Sequence, residues 1–151
     1  MVPNILLDTD VVVNWLLQET ETASGRELWM APYELVKRIE NGSVSGIISL
    51  TTLMEIRFLL RRKKSYTIPH IEHDISKLSA IFEVTIPDEI NLLKANNLQA
   101  EHLLDPFDSI HLALCIGIKP VTLVSRDKDL IKIAKKFIAA ATPEEILKVI
   151  L

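Results

Sequence analysis

Four acidic residues lie where apolar segments end or helical segments begin, and together they have the chemistry of a metal site. They are Asp8, Glu55, Asp108 and Asp127. Asp8 is the clearest, because it ends the apolar run of residues 5–7, as a buried parallel strand does at the carboxyl edge of its sheet. In open α/β sheets ligands bind at that edge. We therefore expect Asp8 to lie in a functional site.

Each of the other three acids also has a purely structural explanation. Glu55 follows Thr52 by three residues, which is the spacing of a capping box. Asp108 follows Asp105 in a first helical turn, and Asp127 precedes another helix, so these residues could serve helix N-termini. Taken singly, this explanation is favoured for Glu55 and Asp127, and it is evenly balanced with a functional role for Asp108.

Taken together, the acids favour a metal site. Parallel topology brings the segments that carry them to one edge of the sheet. Carboxylates that converge there raise one another's pKa values, and a hard divalent cation relieves this repulsion. Oxygen ligands without a set of cysteines and histidines favour Mg²⁺ or Mn²⁺ over zinc. Such a cation lowers the pKa of bound water and stabilises charge on a phosphoryl group, which predicts phosphodiester hydrolysis.

The elements that must position these acids alternate along the chain. The apolar patterns predict strands at 4–7, 44–50, 83–86, 121–124 and, at one edge, 137–140. They predict helices at 11–17, 24–40, 51–60, 71–82, 88–100 and 105–116, the last closed by Gly117, then one after Asp127 and one from Thr142. This alternation predicts an α/β fold, a three-layer sandwich with a central, mostly parallel sheet, over residues 1–151 as one domain.

Composition excludes several classes of protein. The 151 residues are 48% hydrophobic, which suits one compact domain, and the net charge of −3 gives no global signal for nucleic-acid binding. Cys115 is the one cysteine, so no intrachain disulfide can form, and a cytoplasmic location is expected. The first apolar run is broken at Asp8, too early for a signal peptide or a membrane span, so we expect no membrane partner.

Four segments in this order resemble the motifs of the PIN domain family, and especially the VapC toxins of prokaryotic toxin–antitoxin pairs. The segments are Leu6–Val11, Leu53–Ile56, Phe107–Ala113 and Leu123–Asp129. The resemblance covers nearly the whole chain and implies a PIN-like fold with Mg²⁺- or Mn²⁺-dependent endoribonuclease activity. It also implies an RNA substrate, a homodimer and a VapB-like antitoxin as a partner.

The resemblance assigns roles to individual residues. It implies a catalytic quartet made of Asp8, Glu55, Asp108 and Asp127. Of these, the three aspartates would hold the metal. Ser125 matches the family's hydroxyl two residues before the last acid and is expected to help order the site, with Thr9 in support. Asp10 stands where the family more often has Asn or Ser, so it is expected to support the site or to add a metal ligand.

Some neighbours of the quartet have less certain roles. Arg57, Arg61 and Arg126 are candidates for contacts with RNA phosphates, although a basic helix end is usually only solvated. His111 lies one helical turn after Asp108, and we expect it to be a half-buried packing residue. Two further acids, Asp105 and Asp129, are interpreted as a helix cap and a helix-start residue.

Other functions remain open at this point. The segment that begins with Asp8 and Asp10 is similar to the first motif of haloacid-dehalogenase-like phosphatases, with a nucleophile followed by an acid/base. That reading leaves Glu55 and Asp127 without a function and lacks a strand before Asp108. A PIN-like RNA-processing factor shares the nuclease chemistry. A non-catalytic RNA-binding module is the third possibility, and the intact quartet argues against it.

Overall fold

The computed structural model describes residues 2–150, which form an α/β fold of three layers. The strands are β1 (Asn4–Leu7), β2 (Ser45–Ser49), β3 (Glu83–Thr85), β4 (Thr122–Val124) and β5 (Ala139–Ala141). The helices of the described chain are α1 (Thr9–Leu16), α2 (Met30–Glu40), α3 (Leu50–Arg61), α4 (Ile68–Ile81), α5 (Glu89–Glu101), α6 (Pro106–Ile118), α7 (Lys128–Ala134) and α8 (Pro143–Val149). Within residues 2–150, no helix is both long and apolar enough to cross a membrane.

The sheet has the order β3-β2-β1-β4-β5, and all of its described strand pairs are parallel. Successive residues of the central strand β1 face opposite layers, as they must in an extended chain. Ile5 and Leu7 join an apolar cluster with α1 to α4 and α8, whereas Leu6 joins a second cluster with α5, α6 and α7. The predicted sandwich with a parallel central sheet is therefore confirmed.

The strand order reverses beside β1, and this reversal locates the candidate site. From β1 the chain continues to β2 and β3 on one side, then returns to add β4 and β5 on the other. The carboxyl ends of β1 and β4 are held together by the Asp8 backbone N–H, which donates to the Val124 carbonyl over 2.9 Å. Ligands of open α/β sheets bind in the crevice at such a reversal.

Most helices begin with a side-chain cap, as their sequences suggest. Asp8 caps α1, Asp105 caps α6 and Asp127 caps α7, so three acids at the reversal also stabilise helix N-termini. Asp105 is the cap that was predicted, and Asp129 lies in the first turn of α7. The capping box predicted from Thr142 at the start of α8 is also present.

Several predicted helix bounds differ from the structure. Helix α1 begins at Thr9 instead of residue 11 and α4 at Ile68 instead of residue 71, and two further differences have a clear physical reason. The predicted helix 24–40 begins only at Met30, because Pro32 has no N–H and is tolerated only in a first turn. The residues before it form a loop that closes with an antiparallel bridge between Thr20 and Glu27. The helix predicted to close at Gly117 continues through it to Ile118, and α6 ends just before Pro120, which disfavours a helical residue ahead of it.

Candidate active site

Asp8 is the anchor of the site. Its side chain is buried, and Oδ1 accepts hydrogen bonds from the Thr9 backbone N–H (2.8 Å) and from His111 Nδ1 (2.9 Å). Oδ2 accepts a third hydrogen bond from the Ser125 hydroxyl, 2.7 Å away. Burial alone would raise the pKa of Asp8, but the donors, His111 first, outweigh it and hold the pKa below its usual value. Asp8 is therefore a fixed, ionised carboxylate.

The expectation that His111 is a half-buried packing residue is wrong. Its side chain is completely buried and bonds directly to Asp8. Because a carboxylate only accepts, Nδ1 is the donor in that bond. On the other side of the ring, Nε2 lies 3.3 Å from the Thr52 hydroxyl oxygen and 3.5 Å from that of Thr51. The spacing of three residues from Asp108 was the available signal, because it places both side chains on one helix face.

Glu55 reaches the same site from α3. The side chain that caps α3 is Ser49, so the capping box suggested for Glu55 and Thr52 is wrong. Instead, Glu55 Oε1 accepts a hydrogen bond from the Thr9 hydroxyl at 2.6 Å, and Thr9 Oγ1 lies 3.0 Å from Thr52 Oγ1. Burial, and then the negative charge of Asp8, raise the pKa of Glu55. A continuous chain of polar groups thus connects His111 to Glu55.

Asp108 faces Asp8 from the first turn of α6. One ligand atom from each of Asp8, Asp108 and His111 falls within 4.8 Å of the others. Burial, followed by the charges of Asp8, Asp105 and Asp127, raises the pKa of Asp108 to about 8. The carboxyl groups of Asp8 and Asp108 are therefore so close that, without a cation, they do not readily ionise at the same time at neutral pH.

Asp127 lies beside this pair and has a structural task of its own. Its Oδ1 caps α7 by accepting from the backbone N–H groups of Asp129 (2.9 Å) and Leu130 (3.1 Å). Its own N–H donates to the Ser125 hydroxyl, which joins it to Asp8. Its exposed carboxylate contributes to the raised pKa of Asp108. All four acids of the predicted quartet therefore lie around one point, with Asp8 and Asp108 at its centre.

These residues fit a hard divalent cation. The accessible donors at the centre are carboxylate oxygens, which Mg²⁺ and Mn²⁺ prefer. The His111 ring is completely buried, and its Nδ1 is already used by Asp8, so we assign His111 to holding the Asp8 carboxylate in place. A cation would also relieve the repulsion that raises the pKa of Asp108.

Without a cation, the protein should become less stable as the pH rises. The pKa of Asp108 is about 8 in the folded chain but near 3.8 when unfolded, so unfolding releases a proton in this window. The benefit of the protonated carboxyl is lost between those two values. Because Asp108 is only partly buried, we expect a loss of about 2 kcal/mol in the free energy of unfolding between about pH 5 and about pH 8.

Urea unfolding in EDTA across this pH range measures the effect. The variant Asp108→Asn, which cannot ionise, should show a clearly flatter pH profile than the unmodified chain. Added Mn²⁺ should flatten the profile of the unmodified chain as well, because a bound cation favours the ionised carboxylates. Identical slopes for the two proteins in EDTA would contradict the assignment to Asp108.

Arg126, a candidate RNA contact, is engaged within the protein. Its guanidinium donates to the Asn14 side chain, to the Leu28 carbonyl (2.7 Å) and, through two nitrogens, to Glu144 (3.0 and 3.1 Å). Its backbone N–H donates to Asp10 Oδ2 at 3.1 Å. The Arg126 side chain is only 14% exposed. This engagement does not favour the predicted contact between Arg126 and RNA.

Asp10 lies behind the acid cluster, on the side of the β4 end. Burial, followed by the charge of Asp8, raises the pKa of Asp10 to about 7. Its Oδ1 atom is buried and has no hydrogen-bond partner among residues 2–150. The predicted role of Asp10, as a support of the site or as an additional metal ligand, therefore stays a prediction.

The other two predicted RNA contacts extend from α3, on the helix that carries Glu55. Arg57 forms a two-pronged ion pair with Glu72, with distances of 2.9 and 3.0 Å, and its side chain is 42% exposed. Arg61 lies one turn further along and is exposed. Both guanidinium groups remain within reach of solvent, so the predicted contacts with phosphates still stand as predictions for these two residues.

Several solved structures share the fold of this chain at low sequence identity. A toxin–antitoxin complex from Klebsiella pneumoniae has a chain 19% identical to this one, with a TM-score of 0.65 over 92% of this chain and 97% of that one. A DNA-bound VapBC complex from Salmonella typhimurium gives 15% identity and a TM-score of 0.67 over 95% and 99% of the two chains. PAE2754 from Pyrobaculum aerophilum gives 16% identity and a TM-score of 0.66 over 99% and 95%.

Sequence comparison identifies the family directly. No curated protein sequence matches the chain significantly. The family profile described as the PIN domain matches residues 4–129, a range that includes all four acids of the site. Neither the matched family nor the hydrogen bonds that already hold the side chains of Asp8 and Asp10 favour the phosphatase hypothesis. The chain belongs to the PIN domain family.

Proposed function

We propose that this chain is a Mg²⁺- or Mn²⁺-dependent endoribonuclease and the toxin of a VapBC-type toxin–antitoxin pair. The observation that carries the proposal is the pair Asp8 and Asp108, which face each other at the strand-order reversal with a strongly raised pKa on Asp108. Such a pair favours a divalent cation over two ionised carboxylates without one. When bound, the cation would polarise a phosphodiester and make water more acidic.

The surrounding residues have separable tasks in this proposal. Asp8, Asp108 and Asp127 hold the cation, and Ser125 and His111 keep the Asp8 oxygens in fixed positions. Glu55 Oε1 is occupied by the Thr9 hydroxyl, which leaves Oε2 to accept a proton from the attacking water. The raised pKa of Glu55 suits that task, since a base works best when its pKa is near the working pH.

The proposal extends to partners and location. Solved structures that share the fold include a toxin–antitoxin complex and a VapBC complex, which supports a VapB-like antitoxin for this chain. A homodimer and a cytoplasmic location belong to the same proposal. A small reading frame next to the gene, coding for a protein that copurifies with this chain, would separate a toxin from an RNA-processing factor with the same chemistry.

The test is cleavage of a structured RNA by the purified protein in Mg²⁺, in Mn²⁺ and in EDTA. We expect cuts with either cation, none in EDTA, and none with Asp108→Asn under any condition. Restoring activity by adding Mn²⁺ after EDTA would exclude damage by the chelator. Cuts that persist in EDTA, or in the folded Asp108→Asn protein, would show that the nuclease chemistry does not use this site.

A further inference from the structure

A groove beside the acid cluster is lined mainly by apolar side chains. It has a volume of about 420 Å³, and its walls include Thr9 and Glu55 from the site together with Met54, Phe58 and Phe107. Met54 and Phe58 are 55% and 66% exposed, and Phe107 is 39% exposed. Large apolar side chains that are this exposed beside a candidate catalytic centre indicate a binding surface.

Phe58 is the central feature of this surface. It lines the first groove and also a second one of about 480 Å³, whose other walls are Met54, Arg57 and Arg61. The Arg62 guanidinium carbon lies 5.6 Å from the centre of the Phe58 ring. An exposed aromatic ring is thus flanked by cations on α3, one turn from Glu55.

We propose that this groove binds an unpaired nucleobase of single-stranded RNA, stacked on Phe58, next to the phosphate that is cut. This inference rests on the proposed function in one respect, namely that RNA is the ligand. An aromatic ring for a base and arginines for the adjoining phosphates are the two components by which proteins hold single strands.

Charge favours a nucleic acid over an apolar partner protein. The acid cluster repels a polyanion, so a strand near it must be held from a neighbouring cationic surface. The end of α3 supplies this surface through exposed Arg61, Arg62, Lys63 and Lys64. A duplex keeps its bases stacked on each other, so only an unpaired base can enter the groove. The groove therefore suits a base from a single strand or from a loop of folded RNA.

The experiment measures binding in EDTA, so that it does not depend on cleavage. A labelled single-stranded oligoribonucleotide of mixed sequence is compared with an abasic ribose–phosphate oligomer of equal length and charge. We expect the unmodified chain to bind the first about tenfold more tightly than the second, and Phe58→Leu to bind both equally. Phe58→Trp should restore the preference for bases, because it restores an aromatic face.

A matched control is available on α5. Ile90 is 75% exposed, and the neighbouring Asn91 lies beside Gly117, near the end of α6 remote from Asp108. Ile90→Ala removes exposed apolar surface there and should keep the full preference for bases. Both positions are exposed, so neither variant should unfold the chain, and circular dichroism checks this.

Two results would overturn the proposal. The unmodified chain could bind both oligomers equally, or Phe58→Leu could keep the wild-type preference, because leucine preserves apolar surface but not the aromatic face. Either result leaves the groove to an apolar segment of a partner protein. A third outcome separates this subsite from the proposed nuclease. If the unmodified chain never cuts RNA but Phe58→Leu still loses the preference for bases, the subsite is supported and the nuclease activity is rejected.

Discussion

Replacing Asp8 with asparagine should lower the rate of RNA cleavage by at least about a thousandfold while the protein stays folded. Asp8 has three donors aimed at its two oxygens, from Thr9, His111 and Ser125. The asparagine side chain has only one oxygen, so at least one of these donors then faces an amide that cannot accept. The variant also loses a carboxylate at the position that faces Asp108.

Single-turnover cleavage in Mn²⁺ and calorimetric titration with Mn²⁺ measure the two losses. Asp88→Asn is the matched control, because Asp88 also caps a helix and asparagine caps equally well. That helix, α5, begins near Gly117, at the end of α6 remote from Asp108. The control should cut RNA and bind Mn²⁺ like the unmodified chain. A folded Asp8→Asn protein with an unchanged cleavage rate would refute the role of Asp8.

Replacing His111 with alanine should have the largest effect on stability among the site residues. The completely buried ring would leave a cavity and remove the donor to Asp8, so we expect the free energy of unfolding to fall by about 3 kcal/mol. We also expect the affinity for Mn²⁺ to fall at least about tenfold, because the Asp8 carboxylate loses the group that orients it.

Two milder substitutions separate orientation from packing. The amide of His111→Asn reaches roughly as far as Nδ1 and can still donate to Asp8, whereas that of His111→Gln extends to the Nε2 side, toward Thr52. Asparagine should therefore retain more Mn²⁺ affinity than glutamine in calorimetric titrations. If His111→Ala binds Mn²⁺ as tightly as the unmodified chain, His111 is only a packing residue.

The fold and most of the acid cluster follow from local sequence patterns. The apolar run before Asp8 and the capping box from Thr142 each depend on residues near one another in the chain, so they predict β1 and the start of α8. Parallel topology then implies that the acids meet. The start of α2 was predictable too, because Pro32 excludes an earlier start that the apolar spacing alone suggested.

The remaining features depend on contacts between distant parts of the chain. His111 and Asp8 are 103 positions apart, and nothing in the helical spacing of His111 distinguishes a hydrogen-bonded ring from a packed one. Likewise, the position of Arg126 beside Asp127 makes it a candidate RNA contact in the sequence. Only the folded chain brings Asn14, Leu28 and Glu144 around the Arg126 guanidinium.

The Arg126 contacts also connect the candidate site to a part of the chain that lies beyond the family match. The family match ends at residue 129, before β5 and α8. Yet β4 pairs with β5, the Ser125 N–H donates to the Ala141 carbonyl, and Arg126 is held by Glu144 of α8. The loop that carries Ser125 and Asp127 is therefore supported from beyond the boundary that sequence comparison draws. The last helix carries none of the four acids of the site, yet in this sense it is a structural support for the sheet edge where the candidate site lies.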